Sequence, residues 1–273
     1  MKKLTERKYW EKKYQSENGK MTLSAYESSL PASIGNLFVP YVHSKQLEII
    51  LKNVSLKPKS RIVEIGSAPG YFITELATLL KAVPFGIEYS KSGAEMNRKI
   101  FRMHGYPDKN VIEADFFSES FMNEYEESFD MVVSRGFIEH FDDPSNVVGR
   151  HIKLLKTGGY LVVIIPNKTG INSRLSLFFN KDSLNMHNLS IMKIKNFSRL
   201  FSSAVLEKKV VRYFGIFDIY QFNPSTGKKK QIHSLLMKLQ KILYPLYSLT
   251  ADSQSFDSAD FSPMLIYIGV KIK

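Results

Sequence analysis

Short apolar runs alternate with segments of helical periodicity along most of this chain. Residues 62–65 are rich in β-branched side chains and form a run too short for a helix, so they predict a buried strand. After Gly70, apolar residues recur at the spacing of an amphipathic helix. Similar strand-like runs lie at residues 83–88, 110–113, 129–134, 160–167, 205–214 and 264–270. The alternation predicts an α/β fold built on a parallel sheet.

Residues 1–57 predict an N-terminal helical lid and linker. Helices are expected at residues 3–15 and 41–54, whereas residues 16–40 contain glycine, proline and serine without periodicity. The first helix carries three aromatic residues among its lysines, Tyr9, Trp10 and Tyr14. This helix is therefore expected to be a mobile lid with its aromatic side chains over a site, or a helix docked by its aromatic face onto the core, and the two interpretations are compatible.

Residues 58–273 predict the main domain, with two insertions. A helix over residues 144–156 is expected before the fifth strand, and the insertion at about 168–190 that follows this strand lacks periodicity. The second insertion, at about 224–260, contains a helix whose apolar residues lie among lysines. Such a helix either contacts an anionic membrane or packs on its own protein or on a second subunit, so peripheral membrane contact and a homodimer both stay open.

Candidate chemistry begins at the turn after the first strand. Gly66 and Gly70 bracket a tight loop, which is expected to bring backbone N–H groups and a helix N-terminus close to a ligand. Glu64 lies in an otherwise apolar strand, where a lone carboxylate is costly unless it has a partner. Glu88 ends the second strand, a position from which an acid accepts hydrogen bonds from ribose hydroxyls.

The segment Glu64-x-Gly66-x-Ala68-x-Gly70 resembles motif I of class I S-adenosylmethionine-dependent methyltransferases. That family usually has a third glycine where this chain has Ala68-Pro69, a variant also found in RNA ribose methyltransferases. The resemblance implies a Rossmann-like seven-stranded, mostly parallel sheet with helices on both faces and an antiparallel last strand. It also implies S-adenosyl-L-methionine as the cofactor.

The resemblance implies a set of cofactor-binding residues on the loop and the strand ends. Asp115 follows the third strand and is expected to accept from the adenine amino group, with Phe116 against the ring; Glu113 is the competing acid, but Asp115 lies nearer the loop. Ser134 and Arg135 follow the fourth strand and are expected to line the cofactor site. The complete predicted set is Glu64, Gly66, Ser67, Ala68, Gly70, Glu88, Tyr89, Asp115, Phe116, Ser134 and Arg135.

The pair Glu139-His140, followed by Asp143-Pro144, resembles the fourth motif of small-molecule and lipid-precursor methyltransferases. His140, and His187 in the first insertion, are candidate general bases for the proton that an acceptor loses, and each is otherwise a structural histidine. Some relatives place a glutamate three residues before the Glu-His pair and bind a divalent ion there. Because this position is Gly136 here, the sequence predicts no metal.

Composition narrows the range of partners. The chain has no cysteine, which excludes disulfides, thiolate metal sites and cysteine nucleophiles. A formal charge of +12 favours nucleic acid, anionic lipid or phosphorylated substrates, or simply reflects a lysine-rich solvated surface. The first residues are charged, no apolar signal core follows them, and no run reaches membrane-spanning length, so a cytoplasmic protein is expected.

The acceptor class follows from what the fourth strand lacks. RNA ribose methyltransferases have an acid at the end of the fourth strand, where this chain has Ser134-Arg135. The Pro-Pro loop that base-amine methyltransferases of DNA carry at this place is also absent. A small-molecule or lipid/sugar-linked acceptor therefore remains, methylated on O or N. The alternatives are an RNA methyltransferase and a non-catalytic module that only binds the cofactor.

Overall fold

The predicted strands form one seven-stranded sheet in the computed structural model, which describes residues 2–18, 41–216, 218–222, 224, 226–249 and 257–273. The strands are β1 (Arg61–Ile65), β2 (Val83–Glu88), β3 (Val111–Glu113), β4 (Phe129–Arg135), β5 (Leu155–Pro166), β6 (Leu206–Phe214) and β7 (Met264–Lys271). The helices are α1 (Arg7–Asn18), α2 (Tyr41–Asn53), α3 (Tyr71–Leu80), α4 (Lys91–Met103), α5 (Glu119–Tyr125), α6 (Pro144–Leu154), α7 (Gly170–Asn180), α8 (Asp182–Asn185), α9 (Ile194–Arg199) and α10 (Gly227–Leu249).

The strand order in the sheet is β3-β2-β1-β4-β5-β7-β6. Strands β1 to β5 are parallel, and β7 pairs antiparallel with both β5 and β6. The prediction of a mostly parallel Rossmann-like sheet with an antiparallel last strand is confirmed. Because the parallel strands share one direction, the residues that follow β1, β2, β3 and β4 lie along the same edge of the sheet.

Alternate strand residues face opposite layers of helices. In β5, Leu161 and Val163 pack in one core with residues of α5, α6 and α9. Val162 and Ile164 pack in the other core, with residues of α2, α3 and α4. Strands buried on both faces read as continuous apolar runs, which is why the sequence signal for β4 and β5 is strong.

The boundary between α6 and β5 differs from the prediction. The helix ends at Leu154 rather than at Lys156, and the strand begins at Leu155, which pairs with Phe129 of β4. Lys156 therefore belongs to the strand, where its Nζ lies 2.9 Å from an Asp130 oxygen. Two glycines after Lys156 suggested a helix stop, but the ladder with β4 had already ended the helix.

The segment after β5 contains helices, although its sequence lacks hydrophobic periodicity. Helix α7 buries Asn172, Ser176 and Phe179, which recur every three or four residues. The Asn172 Nδ2 donates to the Ser262 carbonyl at 3.0 Å. Because the buried face is mainly polar or small, the hydrophobic pattern did not show the helix.

The first helix starts later than predicted, whereas the helix of the second insertion lies where it was expected. Helix α1 begins at Arg7 rather than near residue 3, because Lys3 forms a β-bridge with Phe141. Helix α10 confirms the predicted amphipathic helix. Of the linker expected at residues 16–40, residues 16–18 belong to α1 instead, and residues 19–40 lie outside the described residues. Within the described ranges, no helix has the length and apolar character needed to span a bilayer.

Candidate active site

The glycine loop after β1 requires glycine at two positions. Gly66 has φ +68° and Gly70 has φ +108°, both in the left-handed region. A Cβ on Gly66 would lie 3.0 Å from the Phe137 ring, and a Cβ on Gly70 would overlap the Asn97 amide. The Gly66 amide, however, donates to the Ile87 carbonyl at 2.9 Å, and the Ser67 amide does so at 3.1 Å. These two loop amides are therefore engaged within the protein, and the Ile73 amide at the start of α3 donates to the Glu64 carboxylate.

Glu64 has the partner that its burial demands. Its Oε1 accepts from the Arg135 Nε at 3.0 Å, and the side chain is only 4% exposed. Burial raises the pKa of the Glu64 carboxyl, while the Arg135 charge opposes that rise. The Arg135 guanidinium lies 3.8 Å from the Phe72 ring centre. Glu64 therefore positions Arg135, and Arg135 rather than Glu64 faces the cavity described next.

A cavity of about 290 Å³ lies between the strand ends and α1. It brings together eight residues predicted from the sequence: Gly66, Ala68, Glu88, Tyr89, Asp115, Phe116, Arg135 and His140. Five others, Glu64, Ser67, Gly70, Ser134 and His187, do not line it. Ser67 binds Asn97 and the Ile87 carbonyl beneath the loop. The Ser134 hydroxyl is buried without a hydrogen-bond partner among the described residues.

The acids at the ends of β2 and β3 differ in their surroundings. Glu88 is 3% exposed, accepts from the Ser90 amide at 2.9 Å, and has its pKa raised by burial. Asp115 is half-exposed, lines the cavity, and accepts from the Lys3 Nζ at 3.3 Å. Glu113 instead pairs with Arg98 at 3.2 Å outside the cavity lining. Of these two acids, Asp115 lines the cavity and Glu113 does not.

The N-terminal segment covers this cavity. Trp10 lies 5.4 Å from the His140 ring and 6.1 Å from the Tyr14 ring, between centroids. The Leu4 amide donates to the His140 carbonyl at 2.8 Å. At the other end of the segment, the Glu11 carboxylate accepts from the Ser92 amide at 3.1 Å. The first helix thus has aromatic residues over the site and is also docked on α4.

Sequence reasoning missed part of the cavity wall. Lys3, Thr5 and Lys13 line it from the N-terminal segment, and Phe117, Phe137 and Phe141 line it from the segments after β3 and β4. The three cavity residues of the N-terminal segment showed no signal, because nothing in their spacing placed them against the strand ends. The density of phenylalanine between residues 116 and 141 was a usable signal for an aromatic wall.

His140 and His187 lie side by side with their ring centroids 4.7 Å apart. The His140 Nδ1 lies 2.7 Å from the Met186 carbonyl, and the His187 Nδ1 lies 2.5 Å from the Ser183 carbonyl. A carbonyl only accepts, so each Nδ1 carries the hydrogen and each neutral ring keeps its lone pair on Nε2. Burial lowers the pKa of His140 to about 4 and that of His187 to about 3.

Glu139 adds a buried carboxyl to this pair of histidines. It is 0% exposed, and neither of its oxygens has a hydrogen-bond partner within the part of the chain that the structure describes. Burial raises the Glu139 pKa to about 8. Burial also lowers the pKa of the neighbouring Lys168, while the Glu139 charge opposes that shift. At neutral pH the carboxyl is therefore mainly protonated and both rings are uncharged.

The same three residues could hold a divalent ion. Glu139, His140 and His187 each offer a ligand atom, and these atoms lie within 4.8 Å of one another. Two imidazoles and one carboxylate suit a transition metal better than Mg²⁺. The sequence-based prediction of no metal considered Glu139 and His140 alone, and the fold adds His187. The absence of a metal stays a prediction.

Comparison with known proteins supports the family at the level of sequence. A family model described as a methyltransferase domain matches residues 39–209. The mitochondrial ubiquinone biosynthesis O-methyltransferase of Rattus norvegicus is 26% identical over 151 residues, which are 55% of this chain and 44% of that protein. This chain therefore matches less than half the length of that curated relative.

Solved structures share the fold at low sequence identity. The geranyl diphosphate C-methyltransferase of Streptomyces coelicolor, solved with Mg²⁺, geranyl diphosphate and S-adenosyl-L-homocysteine, has a TM-score of 0.54 and 12% identity, and the match covers 84% of this chain and 80% of that one. The cyclase SpnF has a TM-score of 0.52 and 12% identity, covering 83% and 80%. These likenesses establish the fold alone, and the sequence match establishes the family: this chain belongs to the methyltransferase domain family, of the class I type that uses S-adenosyl-L-methionine.

Proposed function

We propose that this chain transfers a methyl group from S-adenosyl-L-methionine to an oxygen or nitrogen of a small-molecule or lipid/sugar-linked acceptor. The proposal rests on the position of His140, which lines the same cavity as Glu88 and Asp115. The name of the rat relative, an O-methyltransferase of ubiquinone biosynthesis, favours oxygen and a lipid-linked acceptor.

The residues of the cavity fit the cofactor. A side chain on Gly66 would meet the Phe137 ring. The loop can therefore lie close to a bound cofactor only because Gly66 has no Cβ. Glu88, at the end of β2, would accept hydrogen bonds from the ribose hydroxyls. Asp115 would accept from the adenine amino group, with Phe116 and Phe137 as apolar neighbours of the ring. Arg135, held by Glu64, would contribute positive charge at the end of β4.

The bound cofactor would supply an activated methyl group on a sulfonium. The chain has to hold the acceptor in line with that methyl group and exclude water. Trp10 and Tyr14 cover the cavity and would exclude water from it. His140 would hold the acceptor in line with the methyl group. Its Nδ1 donates to the Met186 carbonyl, so its Nε2 lone pair can accept a hydrogen bond from an acceptor hydroxyl or amine.

The lowered pKa of His140 defines its role more closely. With a pKa of about 4, the imidazole is neutral at physiological pH but is a weak base. It therefore orients the acceptor hydrogen in the ground state and takes the proton only as the new bond to methyl forms.

The test is turnover with and without His140. We expect the purified chain to form S-adenosyl-L-homocysteine with at least one member of lipid, sugar, quinone or amine pools. His140→Ala should lower kcat by about 10²–10⁴-fold, the range for a positioned acid or base, while cofactor affinity changes little. His104→Ala, at an exposed histidine after α4, is the matched control and should leave kcat unchanged.

Three outcomes would contradict parts of the proposal. An unchanged kcat for His140→Ala would remove His140 from the mechanism. Turnover confined to RNA would replace the acceptor class. Cofactor binding with no turnover in any pool, RNA included, would favour a non-catalytic binding module.

A further inference from the structure

Helix α10 leaves a stripe of large aliphatic side chains in solvent. Ile232, Leu235, Leu239 and Ile242 are 44–68% exposed. They recur every three or four residues, so they lie on one face of the helix. A contiguous exposed apolar face of this kind is unusual on a soluble surface and indicates an interaction site.

The stripe is not required for the packing of α10 on its own protein. A different face of the helix does this, because Leu236 and Met237 pack against Phe179, Ile219 and Phe222. Polar contacts of the same helix reinforce the docking. The Gln240 Oε1 accepts from the Ile219 amide at 2.7 Å, and the His233 Nε2 lies 3.0 Å from the Ile219 carbonyl. The outward stripe is therefore available for a partner.

Helix α7 extends the exposed apolar surface. Ile171, Leu177 and Phe178 are 37–49% exposed, and the Lys229 Nζ of α10 lies 5.4 Å from the centre of the Phe178 ring. This contact shows that the outer sides of the two helices meet. We call the exposed side chains of both helices the α7–α10 surface: Ile171, Arg174, Leu177, Phe178, Lys228, Lys230, Ile232, Leu235, Lys238, Leu239, Lys241, Ile242 and Leu243.

The charge of this surface has a single sign. Helix α10 contains five lysines and α7 contains Arg174, while neither helix contains an aspartate or a glutamate. By helical spacing, Lys238 and Lys241 lie on one side of the aliphatic stripe and Lys228 lies at its beginning, as in helices that lie in the interface of an anionic bilayer. We infer that the α7–α10 surface docks on the headgroup region of an anionic lipid bilayer, with the aliphatic residues inserted among the acyl chains.

A second copy of the chain fits this surface less well. In a two-fold symmetric contact, the surface would face its own copy, and lysine would oppose lysine with no acid on either helix to neutralise it. RNA would match the charge but would leave the aliphatic stripe in water. An anionic bilayer satisfies both the charge and the apolar stripe.

The surface is also connected to the candidate active site. Helix α7 starts four residues after β5 ends, and α8 leads from it towards His187, which contacts His140. Docking by this surface would hold the cavity near the membrane. The inference itself does not depend on the acceptor, because it concerns binding rather than turnover.

The experiment is sedimentation of the full chain with vesicles in about 0.1 M salt. We expect retention on vesicles of phosphatidylcholine with about 30% phosphatidylglycerol, at least about tenfold stronger than on pure phosphatidylcholine, and weaker as salt rises. The double variant Leu235→Ser/Leu239→Ser should lower retention about tenfold. Lys238→Glu/Lys241→Glu should lower it as much, because it reverses charge beside the stripe.

Controls separate this outcome from misfolding and from other partners. Leu79→Ser changes a leucine of α3 that is 49% exposed, close to Leu239 at 50%, and should keep full retention. All variants should keep the Tm and the cofactor affinity of the parent. Equal retention on neutral vesicles, or retention unaffected by either double variant, would overturn the inference. So would a dimer in light scattering that Leu235→Ser/Leu239→Ser dissociates, or RNA binding that leaves the leucines unimportant.

Discussion

Glu88 is the residue whose role is simplest to test, because its carboxyl is buried beside the cavity at the end of β2. Removing a charged hydrogen-bond partner of a ligand costs about 1–3 kcal/mol. We therefore expect Glu88→Ala to weaken S-adenosyl-L-homocysteine binding by this amount. The measurement is the emission of Trp10, the single tryptophan of the chain, which lines the same cavity.

Glu113→Ala is the matched control at the end of the neighbouring strand. Its carboxylate pairs with Arg98 outside the cavity lining, so cofactor affinity should not change. Equal losses in the two variants would mean that the ribose is not held at Glu88. A change in calorimetric affinity without a change in Trp10 emission would mean that the cofactor binds away from α1.

The sequence identified single site residues where an ionisable side chain stands at the end of an apolar strand. An acid that ends an apolar strand has few structural reasons to be there, and this identified Glu88 as a cavity residue, whereas Asp115 was identified through the resemblance to the methyltransferase family. The reasoning from strand ends also assigned Glu64 to the cofactor, whereas in the structure the buried Glu64 carboxyl pairs with Arg135. His187 could not be placed beside His140, because 46 residues separate the two and the helices that lead to His187, α7 and α8, were not visible in the hydrophobic pattern.

At the scale of elements, α1 is held over the cavity by a small number of contacts. Glu11 accepts from the amide and hydroxyl of Ser92 at the start of α4, and these hydrogen bonds lower the Glu11 pKa. We expect Glu11→Ala to loosen α1 and to speed cofactor dissociation several-fold, with the Tm almost unchanged because α1 can open locally without unfolding the core. Stopped-flow Trp10 emission and hydrogen exchange of residues 7–18 measure the two effects.

Glu6→Ala provides the control for this element. Glu6 is an exposed acid just before α1, so neither dissociation nor exchange should change. If Glu11→Ala also left both unchanged, α1 would be a fixed part of the wall and the prediction of a mobile lid would fail.

Most elements with an apolar buried face were predictable, although α5, which buries Phe121 and Met122, was not predicted. All seven strands follow from apolar runs, and α10 follows from its aliphatic periodicity. Helix α7 was missed because it buries Asn172 and Ser176, and the start of β5 was misplaced because two glycines suggested a turn inside what is a ladder with β4. Hydrophobic periodicity reports burial of apolar faces, so elements with polar buried faces are not detected.

At the scale of the whole molecule, the stability should depend on the protonation of Glu139. Its pKa is about 8 in the folded chain against an ordinary value of 4.5, so the folded state keeps a proton that the unfolded chain loses. Stability therefore falls as pH rises between these values, with an upper limit of about 5 kcal/mol at 1.36 kcal/mol per pKa unit. Glu139→Gln should remove this loss.

The measurement is the unfolding free energy of both proteins in chelator. The variant should be more stable than the parent at about pH 8 and similar to it at about pH 5. Glu95→Gln, at an exposed acid of α4, should show no such difference. If instead a divalent transition metal stabilises the parent but not Glu139→Gln, the prediction of no metal is wrong and Glu139, His140 and His187 are its ligands.

The fold as a whole was predictable because its signals are redundant. Strand runs, helix periodicity and the acids at the strand ends all indicated one sheet with a site along one edge. What the pattern could not supply was the contribution of the N-terminal segment, since Lys3 reaches Asp115 across 112 residues of sequence. Long-range packing of this kind leaves no local signal.

The position of β7 has a consequence for how the chain is made. This strand follows every other strand in the sequence, yet it lies inside the sheet between β5 and β6. A nascent chain cannot complete the sheet until Lys271 has left the ribosome. Until then, β5 has an open hydrophobic edge and β6 lacks the strand on which it pairs, which are features that chaperones bind and that promote aggregation. Folding of this methyltransferase should therefore finish only after nearly the whole domain has been synthesised.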